Sequence, residues 1–99
     1  MYYFIDDIRP NPKPDKYNKF KTVEEAIKMM SILKPKYVST DYDLGPDKMD
    51  GLDLLKWMFE NGIEPESINI HSDHTTGKKE MLEYAKEHFK NTDITTNAL

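Results

Sequence analysis

Three short runs of apolar, aromatic or β-branched residues stop abruptly at polar ones, and this pattern constrains the fold more than anything else in the chain. Tyr2 to Ile5 run into Asp6 and Asp7, "KYVSTD" ends at Asp41, and "SINIHSD" ends in His71, Ser72 and Asp73. Each reads as a short buried strand. Segments of helical period lie between them. Thr22 and Glu25 have the spacing of a capping box, and Val23, Ala26, Ile27, Met30 and Leu33 form one apolar face that ends at Lys34 and Pro35. Leu52, Leu55 and Phe59, with Leu54 and Met58 beside them and Trp57 at the edge, predict a second helix, closed by Asn61 and Gly62. "TTG" at 75–77 opens a third, with Met81, Leu82, Ala85 and Phe89 on one face. "YNKFK" and "DITTNAL" add two more candidate strands.

Strands alternating with helices call for a parallel sheet with right-handed crossovers, the α/β class. One crossover is irregular. "IRPNPKPDKY" carries Pro10, Pro12 and Pro14, which remove backbone donors and fix φ, so a loop replaces a helix after the first strand. A chain of 99 residues, 37% of them hydrophobic, has room for one domain over 1–99.

Composition narrows the function classes. With no cysteine there is no disulfide framework and no thiolate metal site. "MYYFIDD" lacks a basic leader and no apolar run nears the ~20 residues of a membrane span, so the expectation is a cytoplasmic protein without membrane contact. The net charge of −4, with 13 of 14 basic residues being dispersed lysines, argues against duplex nucleic acid and leaves a small phosphorylated ligand as the expected partner.

The chemistry collects where the strands end, the place where open parallel sheets bind ligands. Two carboxylates ~4 Å apart repel by about 4 kcal/mol at an effective dielectric near 20. Asp6, Asp7 and Asp41 together therefore want a cation or a shared proton, and an all-oxygen donor set on short loops suits Mg²⁺. Ordinary capping and turn roles fit Asp47 and Asp50 better than these three. His71 and His74 lack zinc-helix spacing; His71 is the candidate proton donor or acceptor, or else a strand-end histidine satisfied by backbone. Lys78 and Lys79 fall in the first turn of a helix, where its dipole disfavours cations. They make sense if an anion visits a helix start formed by Thr75, Thr76 and Gly77, or else are solvated surface lysines. Arg9, the single arginine, offers a phosphate fork or a salt bridge to Asp6 or Asp7. His88 suits a helix C-terminus.

"FIDD", "VSTD" and "MDGLDLL" resemble the response-regulator receiver domain, whose acidic pair and central aspartate hold Mg²⁺ and accept a phosphoryl group. Three departures stand out: the proline loop, two extra residues between Asp41 and Gly51, and no lysine after the last strand. A closer resemblance is to the cyclic-phosphate processing receiver-like domains, through Asp6-Asp7-Ile8-Arg9, Asp41-Tyr42-Asp43-Leu44-Gly45, and His71-Ser72 with Gly77 and Met81. That family often has Asn where this chain has His74. The resemblance implies a receiver-like (flavodoxin-like) three-layer domain with a metal-assisted site for a cyclic or terminal phosphate of a nucleotide-like molecule. Asp6, Asp7 and Asp41 would hold Mg²⁺, and Asp41 would be the nucleophile or Asp43 would position a water. His71 would protonate the leaving oxygen, with Ser72, Arg9, Gly77, Lys78 and Lys79 on the phosphate side. Two alternatives remain: a signalling receiver phosphorylated on Asp41, and a module that binds a phospholigand without turnover.

Overall fold

The computed structural model describes residues 1–97. In chain order the elements are β1 (Tyr2–Ile5), β2 (Asn18–Phe20), α1 (Val23–Met30), β3 (Tyr37–Thr40), α2 (Gly51–Glu60), β4 (Ser67–Ile70), α3 (Thr75–His88) and β5 (Asp93–Thr96). All strand pairs are parallel, in the order β2-β1-β3-β4-β5, the flavodoxin-like order whose switch point lies between β1 and β3. As the prolines require, the β1–β2 crossover contains no helix. No helix among the described residues is long and apolar enough to cross a membrane.

The two sheet faces differ in chemistry. Tyr3 and Ile5 of β1, Val38 of β3, and Ile68 and Ile70 of β4 join one buried cluster with Val23, Ala26 and Met30 of α1, Leu54, Leu55 and Met58 of α2, and Met81 and Ala85 of α3. All three helices thus cover the same face. Burying that apolar surface is the main stabilising term of the domain. Register places Tyr2 beside Tyr37, and Phe4, Ser39 and Asn69 in one row with Ser39 in the middle, on the other face. Here the third layer is the proline loop: Tyr17 at its end stacks on Tyr2, Phe4 and Tyr37 with ring centroids 5.5–6.4 Å apart.

Local chemistry sets the helix ends. Thr22 Oγ1 accepts from the Glu25 amide, but the Glu25 carboxylate reaches Lys21 N rather than closing the box on Thr22. Asp50 and Asp53 do form a reciprocal capping box at the start of α2. The expected apolar stripe of α1 runs one turn too far. The helix stops at Met30, Ser31 Oγ bonds back to the Ile27 carbonyl, and the unwound Leu33 is 51% exposed with its carbonyl taken by the Tyr3 hydroxyl. Phe59, expected in the core, is 47% exposed and packs edge-on against Tyr84 and Phe89. The expected final strand ends at Thr96; its last two residues, Ala98 and Leu99, lie outside the described residues.

Candidate functional site

Strand register delivers four polar side chains to one edge of the sheet. Ile5, Thr40, Ile70 and Thr96 are neighbours in adjacent strands. The ladder runs one residue further, with Asp41 N donating to Ile5 O, His71 N to Thr40 O, and Asn97 N to Ile70 O. Asp6, Asp41, His71 and Asn97 therefore stand in a row.

Asp6 is fully buried. Its Oδ1 accepts from the Ile8 and Arg9 amides, both at 2.9 Å, so the backbone turns sharply around the carboxylate. Asp7 contrasts with it: its Oδ1 is buried with no hydrogen-bond partner among the described residues. Asp41 accepts from its neighbour's amide, Tyr42 N, at 2.7 Å, and Ser72, whose Oγ accepts from His74 N at 3.1 Å, lines the same cavity. Burial still raises the Asp41 pKa above the carboxylate norm, with the Asp6 charge adding to the rise and the Ser72 hydroxyl and Tyr42 amide opposing it. One carboxylate oxygen from each of Asp6, Asp7 and Asp41 lies within 4.8 Å of the others. An all-carboxylate set containing an orphaned buried oxygen fits a hard divalent cation.

Above these carboxylates opens a cavity of about 650 Å³. Asp7, Asp41, Asp43, Ser72 and Asp73 give it a polar wall, and Ile8, Gly45, Pro46 and His74 complete it. Asp43 is exposed at the rim, where its Oδ1 holds the Gly45 amide at 3.0 Å.

Not every expected residue faces this space. His71 is 0% exposed and lies beneath Asp6, with Nε2 3.0 Å from Asp6 Oδ2 and Nδ1 2.7 Å from Ser39 Oγ. The Phe4 ring stacks on the imidazole at 4.7 Å. Both ring nitrogens are occupied, so the expected protonation of a leaving oxygen by His71 does not follow from this placement. Arg9 Nε is 4.0 Å from Asp6 Oδ2 and its Nη2 is 3.2 Å from Asp73 Oδ2, so the guanidinium bridges two carboxylates beside the cavity. Lys78 and Lys79 are outside the wall. The Gly77 amide is also committed, donating to His74 Nδ1 at 2.9 Å as His74 caps α3.

Gly77 instead serves packing. A Cβ there would sit 2.3 Å from two carbons of the Tyr42 ring. That ring is only half-buried and can swing away, so Gly77→Ala is expected to cost about 1–3 kcal/mol in a urea melt and to displace Tyr42 from the His74 ring, now 4.7 Å away. An unchanged midpoint contradicts this packing role.

His74 and Ile8 were not expected in the wall. Ser, Thr, Asp and Asn lead the N-cap preferences, which drew the helix start toward "TTG" and hid the histidine cap. Ile8 did carry a signal: an isoleucine inside the polar segment "DDIRPNP", now 83% exposed.

Burial lowers the His71 pKa, against the pull of Asp6. The unfolded chain then takes up a proton on this residue at higher pH than the native one, so its stabilising share is complete above the unfolded value, ~6.5, and fades as pH falls below it. The opposing influence of Asp41 can be removed by substitution. Melts of metal-free Asp41→Asn protein should show falling stability from pH about 7.5 to about 5.5; a rising profile excludes the assignment.

An open parallel sheet of this order, with acidic residues at the carboxyl ends of the adjacent strands β1 and β3, defines a receiver-like α/β domain. Residues 1–87 match the cyclic-phosphate processing receiver domain, and the chain belongs to that family. Among curated proteins no similar sequence was found.

Proposed function

We propose that this domain is a Mg²⁺-dependent phosphoesterase acting on a cyclic or terminal phosphate of a nucleotide-like small molecule. The observation that carries the reading is the orphaned Asp7 oxygen beside Asp6 and Asp41 under an open cavity, in a chain of the cyclic-phosphate processing family. Asp7 and Asp41 would hold the ion, with Asp6 contributing through Oδ2 or a water. Bound there, the cation would neutralise the phosphate and polarise its oxygens.

The chain's own groups divide the remaining work. Ser72 shares the cavity wall with Asp41, and its hydroxyl favours the ionised form of that carboxylate. Asp43, exposed at the rim, can orient a water toward phosphorus, and an ionised Asp41 is the candidate for direct attack. Ile8 and the His74 ring give the wall an apolar side and a flat side, which suits a nucleobase better than a bare phosphate.

A phosphorylated signalling receiver is the rival, and one residue weighs against it. Asn97 stands next to His71 at the end of β5 and its carboxamide accepts from Ser72 N at 3.3 Å. That position, just past the last strand, holds no cation to read a phosphoryl group.

The test is incubation with Mg²⁺ and a panel of nucleoside cyclic phosphates, with ³¹P NMR reading the products and intact mass reading the protein. Ring opening or phosphate release supports the proposal. A stable phosphoryl adduct on Asp41 with a small phosphodonor and no turnover favours the rival, and ligand-dependent stabilisation without product points to a binding module.

A further inference from the structure

Five buried or half-buried side chains form a line from β5 to the acidic cup, and with His71 neutral the charge of the last, Asp6, fixes the direction of the four hydrogen bonds between them. Thr95 Oγ1 is 3.0 Å from Asn69 Oδ1, Asn69 Nδ2 is 3.0 Å from Ser39 Oγ, Ser39 Oγ is 2.7 Å from His71 Nδ1, and His71 Nε2 is 3.0 Å from Asp6 Oδ2. Ser39, Asn69, His71 and Asp6 are all 0% exposed.

An ionised carboxylate only accepts hydrogen bonds, so His71 Nε2 must carry the hydrogen that Asp6 receives. A neutral imidazole then has a lone pair on Nδ1, which obliges the Ser39 hydroxyl to donate to it. With its hydrogen spent, Ser39 Oγ must accept, and the Asn69 amide group supplies the donor. Asn69 Oδ1 in turn faces the Thr95 hydroxyl. With the imidazole neutral, reversing any link leaves two donors or two acceptors face to face, at a cost of about 1–3 kcal/mol.

We propose that Ser39, Asn69 and Thr95 are positioning residues that hold His71 in its Nε2–H form and so fix Asp6 Oδ2, which that hydrogen reaches, beside the cation. Partners beyond the ligands commonly set ligand orientation and metal affinity in this way. The cation part of this statement rests on the metal site proposed above; the tautomer part stands independently of it.

Nitrogen-15 NMR of the histidine rings in the metal-free wild type, together with Mg²⁺ titration of wild type, Ser39→Ala, Ser39→Thr and Thr95→Val, tests the two parts separately. The expected spectrum shows His71 protonated on Nε2 and bare on Nδ1. Ser39→Ala should mix the tautomers and weaken Mg²⁺ binding roughly tenfold or more, whereas Ser39→Thr, which keeps the hydroxyl, should restore both. Thr95→Val, at the partly exposed end and close in shape, should weaken binding less than Ser39→Ala does. A His71 carrying its hydrogen on Nδ1 in wild type overturns the relay while leaving the metal site standing. Wild type that binds no Mg²⁺ overturns the metal site and the relay's role toward it, even if the Nε2–H form is found. Unchanged tautomer and affinity in folded Ser39→Ala overturn the positioning role.

Discussion

Asp41→Asn is expected to melt at a higher temperature than wild type in the absence of divalent cations and to gain almost nothing when Mg²⁺ is added. The first half follows from electrostatics. Asp41 shares a space under 5 Å wide with two other carboxylates, and burial already raises its pKa. Like charges at such distances repel by roughly 3–4 kcal/mol at an effective dielectric of 20. Screening by solvent at this half-buried group reduces the net gain from neutralising it to about 1 kcal/mol, or about 4–8 °C for a domain of this size.

The sign of the pH dependence provides a second reading. A carboxyl whose folded pKa is raised contributes stability that is complete below the unfolded value of 3.8 and lost as pH rises through the folded value. Metal-free wild type should lose stability across that window and Asp41→Asn should not. The second half follows from linkage. A cation at a hundredfold excess over Kd stabilises a domain by about 2.7 kcal/mol, and the variant lacks the carboxylate that would hold it. Turnover of a cyclic phosphate should vanish with it. An Asp41→Asn protein with wild-type Mg²⁺ stabilisation would show that the ion, if bound, sits elsewhere.

Legibility of this site in the sequence followed burial geometry. Asp6, Asp7 and Asp41 were readable because a short apolar run that stops at an aspartate leaves little freedom over where the carboxylate goes. His71 stands at the same strand ends, as expected, but whether its ring faces the cavity is not legible locally, for a physical reason. Alternation of Ile68 and Ile70 with Asn69 and His71 places the polar pair on the second sheet face, but whether that face is wet depends on its cover. The cover comes from the loop containing Pro10, Pro12 and Pro14, whose Tyr17 stacks on Phe4, which in turn stacks on the imidazole. No local pattern encodes that long-range contact. Lys78 and Lys79 show the opposite case: at the start of α3 the Gly77 amide is taken by the His74 side chain, and neither lysine lines the cavity, which fits solvated surface lysines.

Gly51→Ala should be the most damaging single-methyl change near the site. Gly51 starts α2, and its amide donates to Tyr42 O at 2.9 Å. A Cβ on this residue would lie 2.2 Å from the Asp41 carbonyl oxygen and 2.7 Å from Met81 Cε. Met81 is flexible and can yield, whereas the Asp41 carbonyl belongs to the backbone that carries a proposed ligand. Relief therefore requires α2 to move away from the end of β3. That movement opens the buried contacts of Leu54, Leu55 and Met58. Overpacking against backbone stands at or above the upper end of the usual 1–3 kcal/mol, so a cost of about 3 kcal/mol and a melting temperature lower by more than about 10 °C are expected. The site should suffer with the fold: if Gly51→Ala stays folded at low temperature, its Mg²⁺ affinity should fall because Asp41 has been displaced. Melting within a degree or two of wild type together with unchanged Mg²⁺ affinity would show that the close approach of α2 to β3 does not hold Asp41 in place.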